Sequence, residues 1–186
     1  GCIGKAKVSY SIGWVDRFNI SNGLELEQPA LGNGSLVKTQ ATSLLVALEN
    51  KGYIFGRKLV GKTGTYWNKD MNSAAATSDY NRINKVRTVN KATRGIRTNI
   101  LGDVNMPLLI DAKTGKIDKL TAIKIQNKVM NALKQMIAEE ELSGADAYVD
   151  PNQNVLSTNK VVVNVKLVPY GTAESIDIVI GFATSI

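Results

Sequence analysis

Residues 79–186 carry two long amphipathic segments in succession and then two runs of alternating β-branched residues, and this order most constrains the fold. Side chains repeat about every 3.6 residues along a helix and every 2 along a strand, so a chain that changes period in this way must lay helices on a sheet. In residues 79–101, Asp79, or Ser78 beside it, is placed to cap a helix. Val86, Val89, Ile96 and Ile100 gather on one side of it, and Arg87, Lys91, Arg94 and Arg97 spread over the other. Gly102 and Asp103 end it, and residues 107–110 read as a short strand that Pro107 opens and the turn at 111–115 closes.

Asp118 is expected to cap a second helix reaching to about residue 142, with Leu120, Ile123, Val129, Met130, Leu133, Met136 and Ile137 as its buried stripe. After Ser143-Gly144 come a strand at 145–149 and a turn at Asp150-Pro151-Asn152. Residues 160–168 and 175–183 are expected to form a hairpin around Pro169-Tyr170-Gly171. Val161, Val163, Val165 and Leu167 alternate there with Val162, Asn164 and Lys166, and Ile176, Ile178 and Ile180 alternate with Asp177 and Val179. The pattern predicts an antiparallel sheet covered on one face by the helices. Its last strand runs almost to residue 186 with no polar tail, the ending expected of a strand-sharing assembly protein.

The first half is less strongly patterned. Val8, Tyr10, Ile12, Trp14, Val15, Phe18 and Ile20 predict a strand or two over residues 6–20, followed by a turn-rich surface connection through 21–35. Ala41, Leu44, Leu45 and Leu48 predict a helix face over 38–51, which Asn50 and Gly52 stop. Short strands are expected at 53–55 and 63–67, with a loop over 68–78. The fold class that follows is α+β: a mixed, mainly antiparallel sheet packed against two long helices, preceded by part of a second α/β domain.

Composition removes several functions. At 186 residues and 44% apolar the chain can bury a core. It has no histidine, and so lacks the commonest general base and zinc ligand. Cys2 is the one cysteine, so neither an internal disulfide nor a thiolate cluster is possible. No run of about 18 apolar residues is present to span a bilayer. The start at Gly1-Cys2, without methionine, is that expected of a processed or truncated chain. A net charge of +7 favours acidic partners of any kind.

Gly56-Arg57-Lys58-Leu59-Val60-Gly61-Lys62-Thr63 fits the spacing of a phosphate-binding loop, with Gly56, Gly61, Lys62 and Thr63 at the key positions. That chemistry needs the Lys-Thr pair at a helix N-terminus, where backbone N–H groups converge on phosphate. Here a β-prone Gly64-Thr65-Tyr66-Trp67 follows, so a basic hairpin or loop is the stronger reading and nucleotide binding the weaker alternative. The basic helix lacks interleaved aromatics and any nucleic-acid-binding module, which ranks a nucleic-acid module low. The pairs Asp16 with Glu25 and Asp146 with Asp150 read as surface carboxylates, and Glu139-Glu140-Glu141 as solvated or facing a neighbouring subunit.

Taken together, Lys51-Gly52-Tyr53-Ile54-Phe55-Gly56-Arg57, Gly61-Lys62-Thr63-Gly64-Thr65-Tyr66-Trp67-Asn68, Thr77-Ser78-Asp79-Tyr80 and Arg87-Thr88-Val89-Asn90-Lys91-Ala92 resemble the C-terminal half of contractile phage tail sheath proteins. So do Glu141-Leu142-Ser143-Gly144, Asp150-Pro151-Asn152-Gln153-Asn154-Val155-Leu156-Ser157-Thr158 and Val168-Pro169-Tyr170-Gly171-Thr172-Ala173. The resemblance spans about residues 40–186 and includes a subgroup long described as phage proteins of unknown function. It implies a non-enzymatic structural subunit, without cofactor or metal, that stacks on copies of itself around an inner tube and contracts to drive that tube through an envelope. The implied setting is a virion tail assembled in the bacterial cytoplasm, with no nucleic-acid or membrane partner. Residues 1–75 would be the end of an outer α/β domain, and residues 76–186 the inner, tube-facing domain.

Two expectations attach to residues. The basic face of Arg87, Lys91, Arg94 and Arg97 is expected to lie against an acidic tube protein. The strand carrying Ile176, Ile178, Ile180 and Phe182 is expected to join subunits by adding to a neighbour's sheet.

Overall fold

The computed structural model describes residues 1–21 and 26–182, and its architecture is α+β. The second half is built on two helices, α3 (Ile83–Ile100) and α4 (Lys119–Ala138), against a two-stranded antiparallel sheet of β3 (Gly144–Val149) and β4 (Val163–Val168). Asp118 caps α4, its carboxylate accepting from the amides of Leu120 and Thr121. The helix ends at Ala138, four residues before the expected stop, because Glu140 turns into the left-handed region at φ 59°.

The buried stripe of α4 is Ala122, Ile125, Val129, Leu133 and Met136. Leu120 and Ile123, expected inside, are exposed instead. Leu120 stands nine residues from Val129, which at about 3.6 residues per turn places it on the opposite side. Val129, Leu133 and Met136 pack with Ala92 of α3, with Leu142 ahead of β3 and with Ala147 of β3, and Val163, Val165 and Leu167 of β4 close the sheet side. A second cluster gathers Ile117, Ala122, Ile125, Val149 and Val155, the last from the short helix α5 (Val155–Thr158), whose N-cap is Asn154. The β3–β4 register runs from Gly144↔Val168 to Val149↔Val163. Its outer face carries Asp146, Tyr148, Asn164 and Lys166, so the predicted alternation along β4 holds. Residues 107–110 form no strand, only a single bridge between Ile110 and Ile117 around the 111–115 turn.

Helix α3 starts at Ile83, later than the Ser78-Asp79 signal predicts. Asp70 accepts the Ile83 amide at 2.8 Å through its carbonyl, and Met71 bridges Arg82, so the preceding residues are held in a turn by the 70–72 segment. Neither Ser78 nor Asp79 caps it. Its buried stripe is Asn84, Thr88 and Ala92, continued by the half-buried Ile96 and Ile100, while Val86 and Val89 reach only partial burial.

The strands expected over residues 6–20 do not form; a one-turn helix, α1 (Cys2–Lys5), and a series of turns take their place. The cause lies in α3. Arg87 donates to the carbonyls of Ala6 and Lys7, Thr88 to that of Val8, and Asn84 to that of Ser9, so the acceptors a strand would need are taken by side chains. Farther on, Trp14 O accepts from Arg17 and Phe18, and Ile12 and Phe18 are buried.

Helix α2 (Thr42–Asn50) follows a 3-10 turn at Val37–Thr39, and no residue of α2 is buried. The strand expected at 63–67 forms as β2 (Lys62–Trp67), while the one expected at 53–55 is displaced to β1 (Gly56–Leu59); the two make an antiparallel hairpin closed by Val60 and Gly61, where Gly61 supplies φ 79°. Asn68 joins α2 to the hairpin by accepting the Phe55 amide at 2.9 Å and donating to Tyr53 O and Glu49.

Candidate assembly interface

The C-terminal segment departs most from expectation. β4 pairs with β3 and not with residues 175–182, and the hairpin predicted around Pro169-Tyr170-Gly171 is absent. Ala183, the end of that predicted strand, lies outside the described residues. β3 precedes β4 across only a turn and α5, whereas the chain beyond Val168 turns away at Pro169, whose carbonyl accepts from Ser143. Residues 171–182 form no strand and no backbone hydrogen bond within the described structure. Ile176, Ile178, Ile180 and Phe182 are 82%, 76%, 87% and 111% exposed, and Val179 is equally bare. Full burial of one such side chain is worth about 1.5–3 kcal/mol, so this row of apolar groups carries a large unused driving force.

The sheet beside it is incomplete. Among the described residues β3 and β4 pair only with each other, which leaves one edge of each strand without a partner strand. Two strands alone are marginal, and open edges readily accept another chain.

The four cations expected on one binding face divide into two pairs. Arg87 and Lys91 serve the fold. Arg87 grips residues 6 and 7, and Lys91 reaches Glu139 at 2.8 Å and Glu141 at 2.5 Å. Partial burial works against the Lys91 ammonium, but the hydrogen bonds and charges of Glu139 and Glu141 outweigh it and hold its pKa above the ordinary value. The hydrogen bonds from Lys91 and Gln135 hold Glu139 below its own. Thus Glu139 and Glu141 pair within the chain, and Glu140 lies 3.7 Å from Lys7. Arg94 and Arg97 are exposed.

The phosphate-loop geometry is not formed. Gly56 opens β1, Gly61 lies in the hairpin turn, and Lys62 and Thr63 begin β2, so a strand and not a helix follows the loop. Lys62 lies 3.4 Å from Asp16. Glu25, the other carboxylate considered with Asp16, is outside the described residues.

A groove is lined by Tyr10, Trp14, Arg57, Lys69 and Arg82 together with residues 170–175. Tyr10 and Trp14 meet edge to face at 4.9 Å. Glu174 crosses the groove to Lys69 and Arg82. Sequence reasoning missed this network because its members are scattered and no local spacing marks them. Among the described residues no group of three or more His, Cys, Asp or Glu could hold a metal, and no helix is long and apolar enough to cross a membrane.

Residues 79–186 match the family described as DUF2586, C-terminal domain. The chain belongs to this family. The match opens just before α3 and takes in α4, the β3–β4 sheet and the exposed C-terminal segment. No curated protein matches the chain. In fold, this DUF2586 chain is similar to a chain in the cryo-EM structure of the anti-feeding prophage baseplate, with a TM-score of 0.58 at 17% identity over 86% of its length. It is also similar to a chain in the structure of an extracellular contractile injection system, the PVC sheath complex in the contracted state, with a TM-score of 0.57 at 16% identity over 85% of its length. The DUF2586 chain covers 44% and 45% of those two chains, less than half of each.

Proposed function

We propose that this DUF2586 chain is part of a structural subunit of a contractile tail or injection particle, and specifically of its sheath. Copies would polymerise around an inner tube and contract to drive it through a cell envelope. The observation that carries this reading is the pairing of a bare apolar C-terminal segment with a two-stranded sheet whose outer edges are open. Each is the complement of the other, but residues 171–182 do not close their own sheet. Between copies the fit is natural: residues 175–182 of one add a strand to β3–β4 of the next, bonded through the main chain. A head-to-tail contact of this kind repeats into rings or helical rows.

The fold likeness to chains from a baseplate and from a sheath complex supports a role in such particles. In this reading residues 76–186 are the inner domain and residues 1–75 the end of an outer α/β domain. Arg94 and Arg97 are the cations free to meet an acidic tube protein, with Arg87 and Lys91 holding the helix that presents them. The subunit catalyses no reaction and works in a tail assembled in the bacterial cytoplasm.

Negative-stain electron microscopy of the full-length protein, alone and with its tube protein, tests this. Striated cylinders, hollow or tube-filled, are expected, and none once residues 175–186 are deleted. Closed rings that never stack would favour a baseplate role over a sheath. A monodisperse monomer under every condition would contradict both.

A further inference from the structure

Glu174 is the last charged residue before the exposed segment and sits in a five-member ion network. Its carboxylate lies 3.1 Å from Lys69 Nζ and pairs with the Arg82 guanidinium on the other side. Each cation also has an acid of its own. Lys69 lies 3.5 Å from Glu49 at the end of α2, and Arg82 lies 2.8 Å from Asp70, whose side chain is 1% exposed. Lys69 and Arg82 are therefore balanced by Glu49 and Asp70 before Glu174 arrives. Among these five groups Glu174 is the surplus charge.

This imbalance has a mechanical consequence. Removing Arg82 would strand the buried Asp70, a costly state. Withdrawing Glu174 strands nothing, since Lys69 keeps Glu49 and Arg82 keeps Asp70. Glu174 itself is one-third exposed and returns readily to water. The contact is thus stable enough to hold a chain segment, weak enough to release it, and screened by salt.

We propose that Glu174 is a positioning residue and electrostatic latch. Held by Lys69 and Arg82, it pins residues 170–174 across the groove and fixes the point and direction from which residues 175–182 leave the domain. The latch opens without unfolding the domain. Its role in assembly rests on the strand-addition reading above, but the latch itself can be measured in the free subunit.

The test is a distance measurement by double electron–electron resonance, with spin labels at S175C and N50C in a chain carrying C2S. A single narrow distance distribution is expected at low salt. Both Glu174→Gln and 1 M salt should broaden it, with an unchanged melting temperature for Glu174→Gln showing that the domain stays folded. The same variant should polymerise about tenfold more slowly, corresponding to about 1.4 kcal/mol of lost pre-organisation. A narrow distribution that survives both perturbations overturns the latch, as does a wild-type distribution that is broad from the start. Salt- and Gln-dependent broadening in a protein that never polymerises would uphold the latch and overturn the assembly reading.

Discussion

Arg87 of α3 donates to the carbonyl of Ala6 at 2.9 Å, tying the first residues of the chain to the helix that opens the family domain. A second bond from the same guanidinium reaches Lys7 O at 3.2 Å. A cation that looked available to a partner is a brace. Replacing Arg87 by Met removes two charge-assisted bonds and should cost about 2 kcal/mol of stability. Arg94→Met, at an exposed position, should stay within about 0.5 kcal/mol of the parent. Urea denaturation of the two variants side by side checks this.

A second contrast lies on α4. Leu133 is fully buried among α3, α4 and β3, whereas Leu120 is 73% exposed. Leu133→Ala should destabilise by about 3 kcal/mol through lost burial and the cavity left behind. Leu120→Ala should cost about 0.5 kcal/mol or less in the isolated subunit. Equal effects would mean that the stripe has been assigned to the wrong face.

That contrast shows what was legible in the sequence. The existence of both long helices, the Asp118 cap and the alternation of Val163, Val165 and Leu167 depend on local period and local chemistry, and all appear in the structure. Leu120 and Ile123 have the hydrophobicity of core residues but the wrong helical angle, whereas small Ala122 fits the contact face. The strand predicted over residues 6–20 failed for a non-local reason, since Asn84, Arg87 and Thr88 supply the hydrogen bonds from far along the chain. The start of α3 was displaced in the same way by Asp70. Of the candidate interface, the apolar alternation of residues 176–182 is visible as a pattern, but the absence of the hairpin with β4 is not. The Glu174 latch joins residues 49, 69, 70, 82 and 174, and no window of sequence contains it.

The Lys91 bridge should give the stability a pH signature. Lys91 is raised, so its contribution is complete below the ordinary 10.5 and fades only as pH climbs through its folded value. Glu139 is lowered, so its contribution is present above the ordinary 4.5 and is lost as pH falls through its folded value. Thermal melts should therefore show a full difference between wild type and Lys91→Met across neutral pH, about 2 kcal/mol because Glu141 loses the partner of its buried carboxylate. The part of the difference that Glu139 supplies should fade as the pH falls below 4.5. A difference that does not change in that range would mean that Glu139 adds nothing to the bridge.

Arg94→Glu with Arg97→Glu should leave the melting temperature unchanged and abolish decoration of an acidic tube, while self-assembly without tube continues. Wild-type decoration should weaken steeply with salt, as expected for exposed charges. Co-sedimentation with tube protein reads both effects, and normal decoration by the double variant would remove these arginines from the tube contact.

The proposed assembly requires residues 175–182 to complete the sheet of another copy. A cryo-EM reconstruction of the assembled protein, at a resolution that traces main chain, tests it most directly. Strand addition places residues 175–182 of one subunit, hydrogen-bonded as a strand, along the free edge of β3 or β4 in its neighbour, with Ile176, Ile178, Ile180 and Phe182 buried there. Finding that segment paired to its own subunit's sheet, or still bare in the assembly, would contradict it.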